Sequence, residues 1–216
     1  MGRIESVNVV HELLPDEHNG QGRTAIDKRP VTGPVHVGPV GLTSDRQMDI
    51  RHHGGRDKAV YAYAAEDLAW WSESLGRALT PGRFGENLTT SGIDVTGALV
   101  GERWQVTREG GPLLEVTQPR TPCATFQAWL GEPRWVRRFT QRGVPGAYLR
   151  VLTEGEVGAG DEVEIVHRPT HGVSIGDFFT RLDAAMADRV LAAESRGEVE
   201  LAESLRAYAE HAASRG

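Results

Sequence analysis

Cysteine is nearly absent from this chain: one residue, Cys123, in 216. A lone thiol forms no internal disulfide, and it excludes a thiolate-rich zinc cage or an ordinary cysteine-ligated iron–sulfur cluster. Such sparing use of cysteine fits a reducing compartment, so a cytoplasmic protein is expected. Long apolar runs are missing as well, which leaves no candidate for a transmembrane helix. No charged-then-apolar leader is visible, so secretion is not expected either. Basic residues are in the minority. With 24 Lys and Arg against 30 Asp and Glu, the formal charge is −6, which removes electrostatic support for broad nucleic-acid binding and leaves room only for a local basic pocket. A Walker loop, a Rossmann glycine fingerprint and a His-Glu-x-x-His pair are also lacking.

What is present describes a globular chain, with 39% hydrophobic and 25% charged residues. The 26 glycines and 11 prolines are unevenly spread. Up to about residue 169 they punctuate short apolar runs; from about 170 the chain turns alanine- and glutamate-rich. The join, His167-Arg-Pro-Thr-His-Gly172, reads as a linker or sharp turn, dividing the chain into 1–169 and 170–216. In the first part, strands are expected at Arg3–Leu13, within Pro30–Val40, and at Arg103–Arg108, Leu113–Thr117, Tyr148–Thr153 and Glu162–His167. Helical spacing marks Ala65–Leu75, Ala124–Leu130 and Pro133–Arg142. Short strands between glycine turns, with helices interposed, suggest a closed or nearly closed β-barrel with helical insertions. The remainder reads as three helices: one capped by Ser174, one capped by Asp183 and ending near Gly197, and one from Glu198 to about Ala213. Their amphipathic faces are as able to form a homodimer interface as to cover their own barrel.

Four stretches carry candidate chemistry. In Glu115-Val-Thr-Gln-Pro-Arg-Thr-Pro-Cys123, two prolines stiffen the turn that presents Arg120 and Cys123. A nearby guanidinium favours the thiolate, the form that attacks or binds metal; equally, a lone cysteine is often a small buried apolar residue. Arg51-His-His-Gly-Gly-Arg-Asp-Lys58 combines His53, two glycines that permit close backbone approach and the cations Arg56 and Lys58. A plain polar turn explains the same residues as well. Pro81–Gly92 offers Glu86, Asn87, Thr89 and Thr90 as hydrogen-bonding groups between glycines. Thr24–Val31 places Lys28 and Arg29 just before a strand, where they suit a phosphate or simply form a solvated turn.

Taken in order, these stretches resemble the MOSC family, named for the C-terminal domain of molybdenum-cofactor sulfurase, and within it the stand-alone YiiM-like branch. The elements that match are Ala25-Ile-Asp-Lys-Arg-Pro-Val31, Gly41-Leu-Thr-Ser-Asp45, His53-Gly-Gly-Arg-Asp-Lys-Ala-Val-Tyr61, Gly82-Arg-Phe-Gly-Glu-Asn-Leu88, Gln118-Pro-Arg-Thr-Pro-Cys123, Gly143-Val-Pro-Gly-Ala-Tyr148 and Gly160-Asp161. Arg56 departs from the pattern, which has proline after the double glycine. The tail resembles the three-helix extension of YiiM-like proteins.

The resemblance implies a MOSC-type β-barrel that binds the molybdenum cofactor (molybdopterin), with Cys123 as the protein's ligand to the metal. A soft thiolate suits that thiophilic centre. Lys28, Lys58 and Arg120 are then candidates for an anionic cofactor phosphate or substrate, and His53, Asn87 and Thr89 for pterin- or substrate-facing groups, His53 as a catalytic one. A looser association with pyridoxal phosphate attaches to the family as a whole. YiiM-like members resemble reductases of N-hydroxylated bases, N–OH to N–H, which implies a small-molecule N-hydroxylated substrate. With no flavin or nicotinamide motif in the chain, a separate flavoprotein or reductase would supply electrons. Two other readings stand beside this one: a persulfide sulfur carrier or sulfurtransferase acting through Cys123, and a cofactor-binding module without catalysis.

Overall fold

The computed structural model describes residues 1–48 and 54–215. Its body is a sheet of eight strands. In chain order the strands are β1 (Gly2–Pro15), β2 (Arg23–Pro30), β3 (Val35–Gly38), β4 (Gly41–Leu42), β5 (Val60–Ala64), β6 (Leu88–Ser91), β7 (Arg103–Val106), β8 (Leu113–Pro119), β9 (Ala147–Thr153), β10 (Gly155–Val157) and β11 (Glu162–His167). The large sheet has the order β11-β7-β8-β9-β5-β6-β1-β2, and β1 also pairs with β11. Gly2 faces Val163 and Arg3 faces Glu162 in that extra pairing, so the hydrogen-bonded path returns to its starting strand. β3, β4 and β10 form a separate small sheet.

Burial alternates only at the start of the long first strand, where Gly2 and Ile4 are buried and Arg3 and Glu5 face water; after a register shift between Ile4 and Ser6 the four residues Ser6–Val9 are all buried, covered on both faces. Register shifts after Val10 and after Glu12 bend β1, which lets it serve β6, β11 and β2 along one strand. β5 and β6 run parallel, a pairing that requires a crossover. Helix α1 (Ala65–Leu75) supplies it, burying Leu68 and Trp71. Helices α2 (Ala124–Leu130) and α3 (Trp135–Arg142) form a second insertion between β8 and β9. Their Phe126, Leu130, Trp135 and Phe139 pack with Tyr61, Tyr63, Trp71 and Phe84 in an aromatic cluster outside the main core.

After β11 come α4 (Ile175–Thr180), α5 (Ala184–Ser195) and α6 (Glu203–Ala213). Ser174 and Asp177 close a capping box on α4, and Asp183 accepts from the Met186 amide at the start of α5, satisfying amides that a helix start leaves open. Ala187, Val190, Ala193, Leu205 and Ala209 join Ile4, Trp104 and Val116 in one apolar cluster. The tail and the sheet therefore share a core.

Three sequence expectations shift. The expected strand within Pro30–Val40 is interrupted by a turn and resumes only as β3. Lys28 and Arg29 lie inside β2 rather than ahead of a strand. The last helix starts at Glu203, not Glu198; Leu201 is buried in the connection before it, and Tyr208 remains 45% exposed.

Candidate functional site

The chain leaves β8 at Pro119 and passes through Arg120-Thr121-Pro122 without regular structure to Cys123. Proline at 119 and 122 limits the conformations open to this turn. Cys123 is extended, at φ −134° and ψ 174°, and is the N-cap of α2. It is half-buried against the aromatic cluster. Its other neighbours form a cavity of about 110 Å³ that Lys28, Lys58, Asn87, Arg120, Cys123 and Tyr148 all help to line. Five residues singled out from sequence, drawn from four separate stretches, thus meet at one opening. Thr89 does not line it. His53 lies outside the described residues.

Arg120 is the most deeply placed cation here, 6% exposed. It donates through Nη1 to the Phe84 carbonyl and lies between the Phe126 and Tyr61 rings, 4.0 and 5.1 Å from their centroids. Burial works against its charge, but the neighbouring Tyr61, Tyr148 and Cys123 more than offset this, and its pKa is raised. Among the described residues its buried Nε finds no hydrogen-bond acceptor, the Tyr61 hydroxyl beside the guanidinium donating instead to the Pro145 carbonyl. An orphaned donor on a buried cation is costly unless something else accepts from it.

The Phe84 carbonyl is itself held by a turn built around Glu86. That carboxylate is fully buried and accepts from the Gly82 amide (2.6 Å), the Phe84 amide (2.9 Å) and Thr89 Oγ1 (3.0 Å). Thr89 therefore supports the turn from behind. Burial pushes the Glu86 carboxyl up despite these donors. Gly82 has φ +84°, and a Cβ there would lie 2.3 Å from the Lys28 carbonyl oxygen. This glycine permits the contact between the turn and β2.

Lys28 comes with its own counter-ion. Asp45 takes Lys28 Nζ and Asn87 Nδ2 (2.7 Å) on one oxygen and the Val10 amide (3.0 Å) on the other. Asn87 Oδ1 accepts in turn from the Tyr61 amide at 3.1 Å. Lys28 and Asn87 thus belong to a buried polar framework, with Lys28's charge balanced by Asp45. Lys58 Nζ lies 5.9 Å from the Tyr148 ring centroid. Arg56 points elsewhere, to Glu200 of the tail.

Sequence reasoning passed over Asp45 and Tyr148. Each ends a motif, Gly41–Asp45 and Gly143–Tyr148, but neither residue type announces a pocket at those positions. Tyr148 alternates with the fully buried Ala147 and Leu149 on β9, so its ring faces the opposite side. Burial pushes its phenol further up from a value already well above neutral pH. Gly172-Val-Ser-Ile-Gly176 has the form Gly-x-Ser-x-Gly, yet Ser174 is engaged in the α4 cap. The adjacent His171 has its ring nitrogens on the Val100 carbonyl and the Val173 amide. No Ser–His pair forms there.

Among the described residues, no three His, Cys, Asp or Glu side chains gather as a metal site. A metal held here would have Cys123 as its protein donor and take its other ligands from a bound organic group. The residues fit such a group. They offer one soft, accessible sulfur, a buried arginine with a donor unused among the described residues, and flat aromatic walls.

Fold and site together define a sheet-rich protein with a cavity lined by one thiol and several cations. The MOSC domain model matches residues 49–164. YflK of Bacillus subtilis is 36% identical over 193 residues, spanning 88% of this chain and 86% of YflK. A protein named reductase from Gibberella moniliformis is 30% identical over 158 residues, 69% of this chain but 27% of that longer protein. The crystal structure of YiiM from Geobacillus stearothermophilus matches with a TM-score of 0.77 at 29% identity, covering 99% of this chain and all of that one. The chain belongs to the MOSC domain family.

Proposed function

We propose that this protein binds the molybdenum cofactor and reduces N-hydroxylated bases, on a MOSC-type barrel extended by the three C-terminal helices. The net reaction takes R–NH–OH, two electrons and two protons to R–NH2 and water. The electrons come from a separate flavoprotein or reductase. Membership of a family associated with molybdenum-cofactor binding and the reductase-named fungal relative support this reading. The observation that carries it is the meeting of Cys123 with Arg120, whose buried Nε finds no partner among the described residues, at one cavity.

When bound, the molybdenum centre supplies the two-electron cleavage of the N–O bond. Cys123 Sγ would hold the metal, since a soft thiolate is the matching donor type. Arg120 Nε–H would donate to an anionic oxygen of the cofactor or substrate, which removes the orphan. Lys58 adds a second positive charge at the same opening. Tyr148, which lines the same opening, keeps its phenolic proton and would donate a hydrogen bond from Oη to the leaving oxygen. The Tyr148 ring also offers a planar base a stacking surface.

The test compares protein expressed in a host that makes the cofactor with protein from one that cannot. The expected result is near-stoichiometric molybdenum in the first and reduction of an N-hydroxylated purine by that preparation alone, with a flavoprotein reductase present. Metal-free protein from both hosts that carries a cyanide-labile sulfur would overturn this reading and favour sulfur transfer.

A further inference from the structure

The connection between α5 and α6 reaches back to the wall of the cavity. Both carboxylate oxygens of Glu200 meet the Arg56 guanidinium, at 2.6 and 3.2 Å. One of them also lies 2.8 Å from Nη1 of Arg150, a fully buried side chain. Arg150 Nη2 donates to the Glu200 carbonyl at 2.9 Å and forms an ion pair with Asp57 at 3.0 Å. The single-turn 3-10 helix Arg56–Lys58 is therefore tied to Glu200 twice, directly through Arg56 and indirectly through Arg150 and Asp57. Its third residue is Lys58, which lines the cavity with Cys123.

Three hydrogen bonds to backbone atoms, two from Gln47 in an irregular segment and one from Thr117 of β8, hold the same turn. Gln47 Oε1 accepts from the Gly55 amide at 2.9 Å and Gln47 Nε2 donates to the Lys58 carbonyl at 3.0 Å. Thr117 Oγ1 donates to the Asp57 carbonyl at 2.6 Å. One turn of 3-10 helix has little stability of its own. A buried guanidinium, for its part, needs carboxylates on more than one side. Asp57, Glu200 and the buried Glu115 meet that need together, and the first two couple the place of the turn to the place of the tail. A second link runs in parallel: Ser204 Oγ, at the start of α6, donates to Gln118 Oε1 at 3.2 Å, and Gln118 opens the motif that ends in Cys123.

We infer that Glu200 is a positioning residue, a tail-borne clamp that holds the Arg56–Lys58 turn so that Lys58 stays beside Cys123. The inference rests on the reading of this cavity as the functional site, but not on what metal or substrate enters it. It also gives Arg56, the residue that departs from the family pattern, a partner within this chain.

Cys123 is the only thiol, so its alkylation is a clean probe. The rate with anionic iodoacetate, divided by the rate with neutral iodoacetamide, reports positive potential at the sulfur and cancels changes in intrinsic nucleophilicity. The measurement uses full-length protein from a cofactor-deficient host at low salt, as wild type, Lys58→Met, Glu200→Gln and Glu200→Asp. Lys58→Met should lower the ratio by roughly threefold, the effect of one screened charge several ångströms away. Glu200→Gln should lower it comparably, and Glu200→Asp by less. The sign is diagnostic. Loss of an anion acting only through space would raise the ratio, so a rise or no change in Glu200→Gln overturns the clamp. An unchanged ratio in Lys58→Met overturns it too. If Glu200→Gln does not fold, Glu200→Asp decides, because it keeps the charge and alters only the reach. A chain that never carries molybdenum yet shows the fall would refute the redox reading and leave the clamp standing.

Discussion

Replacing Gly82 with alanine tests whether the Glu86 turn and β2 are fitted to one another, because the added methyl has nowhere to go. At φ +84° its Cβ would sit 2.3 Å from the Lys28 carbonyl oxygen, 2.7 Å from the carbonyl carbon and 3.2 Å from the Arg29 nitrogen. All three are backbone atoms of a paired strand, so no side-chain rotation relieves the overlap. The left-handed conformation alone costs an L-residue roughly 1–2 kcal/mol, and forcing extra volume into a packed site adds about 1–3 kcal/mol. For a chain of this length that corresponds to a fall in Tm of roughly 5–15 °C. Gly76 provides the control: its φ is +63°, and a Cβ there would have nothing within 4 Å. Gly76→Ala should therefore lose only the conformational part, about 1 kcal/mol. Thermal denaturation of both variants, followed by circular dichroism, measures the difference. Equal losses would refute the argument that Gly82 is required for close approach. The same displacement moves Lys28 away from Asp45, so Gly82→Ala should also change the alkylation rate of Cys123, and Gly76→Ala should not.

Arg150→Met removes a fully buried cation and leaves Asp57, Glu115 and Glu200 short of a partner; a loss of about 3–5 kcal/mol is expected, read as the urea midpoint at constant m-value. Ser174→Ala removes the hydroxyl half of the α4 capping box and should cost about 1 kcal/mol in the same assay, without altering the alkylation of Cys123. Acid should loosen the tail. Hydrogen bonding from Arg206 holds the Glu194 carboxyl below its ordinary value, and Asp177, although burial pushes it up, is held low by bonds from Ser174 and Arg181. A folded-state pKa below the unfolded one gives stability that is present above the unfolded pKa and lost as pH falls through the folded one. Protection factors of the amides in α4–α6, the observed exchange rates corrected for the pH dependence of intrinsic exchange, should therefore fall below about pH 4.5, and unaltered protection down to full protonation would contradict this. Glu86, with its pKa raised, contributes in the opposite direction and should not add to the acid loss.

Local features were legible where local chemistry decides them. Pro122 ends the irregular turn, Gly131 ends the next helix with a left-handed cap, and Ala124–Leu130 between them was readable residue for residue. Ser174 and Asp183 cap the helices their side chains announce. The start of the last helix was misread because Leu201 continues the helical spacing of Leu205 while packing from an irregular segment. β2 was obscured because its Asp27 and Lys28 are charged residues on a strand, compensated by Arg29 and Asp45 respectively. The convergence of Lys28, Lys58, Arg120 and Cys123 on one cavity was legible only through the order of their motifs. What the site adds, Asp45 balancing Lys28 and Glu200 gripping Arg56, depends on partners 17 and 144 residues away. No local pattern carries that information.

If Cys123 holds the metal, Cys123→Ser removes its protein donor. Serine nearly preserves volume at a half-buried position but replaces a soft thiolate with a hard, weakly acidic hydroxyl. Molybdenum per polypeptide is measured for wild type and variant purified from the same cofactor-producing host, with Tm as a check on folding. The account predicts a variant that folds normally, with Tm within about 2 °C of wild type since no large packing volume is lost, and that retains little or no molybdenum. A serine variant that keeps the wild-type molybdenum content would contradict it.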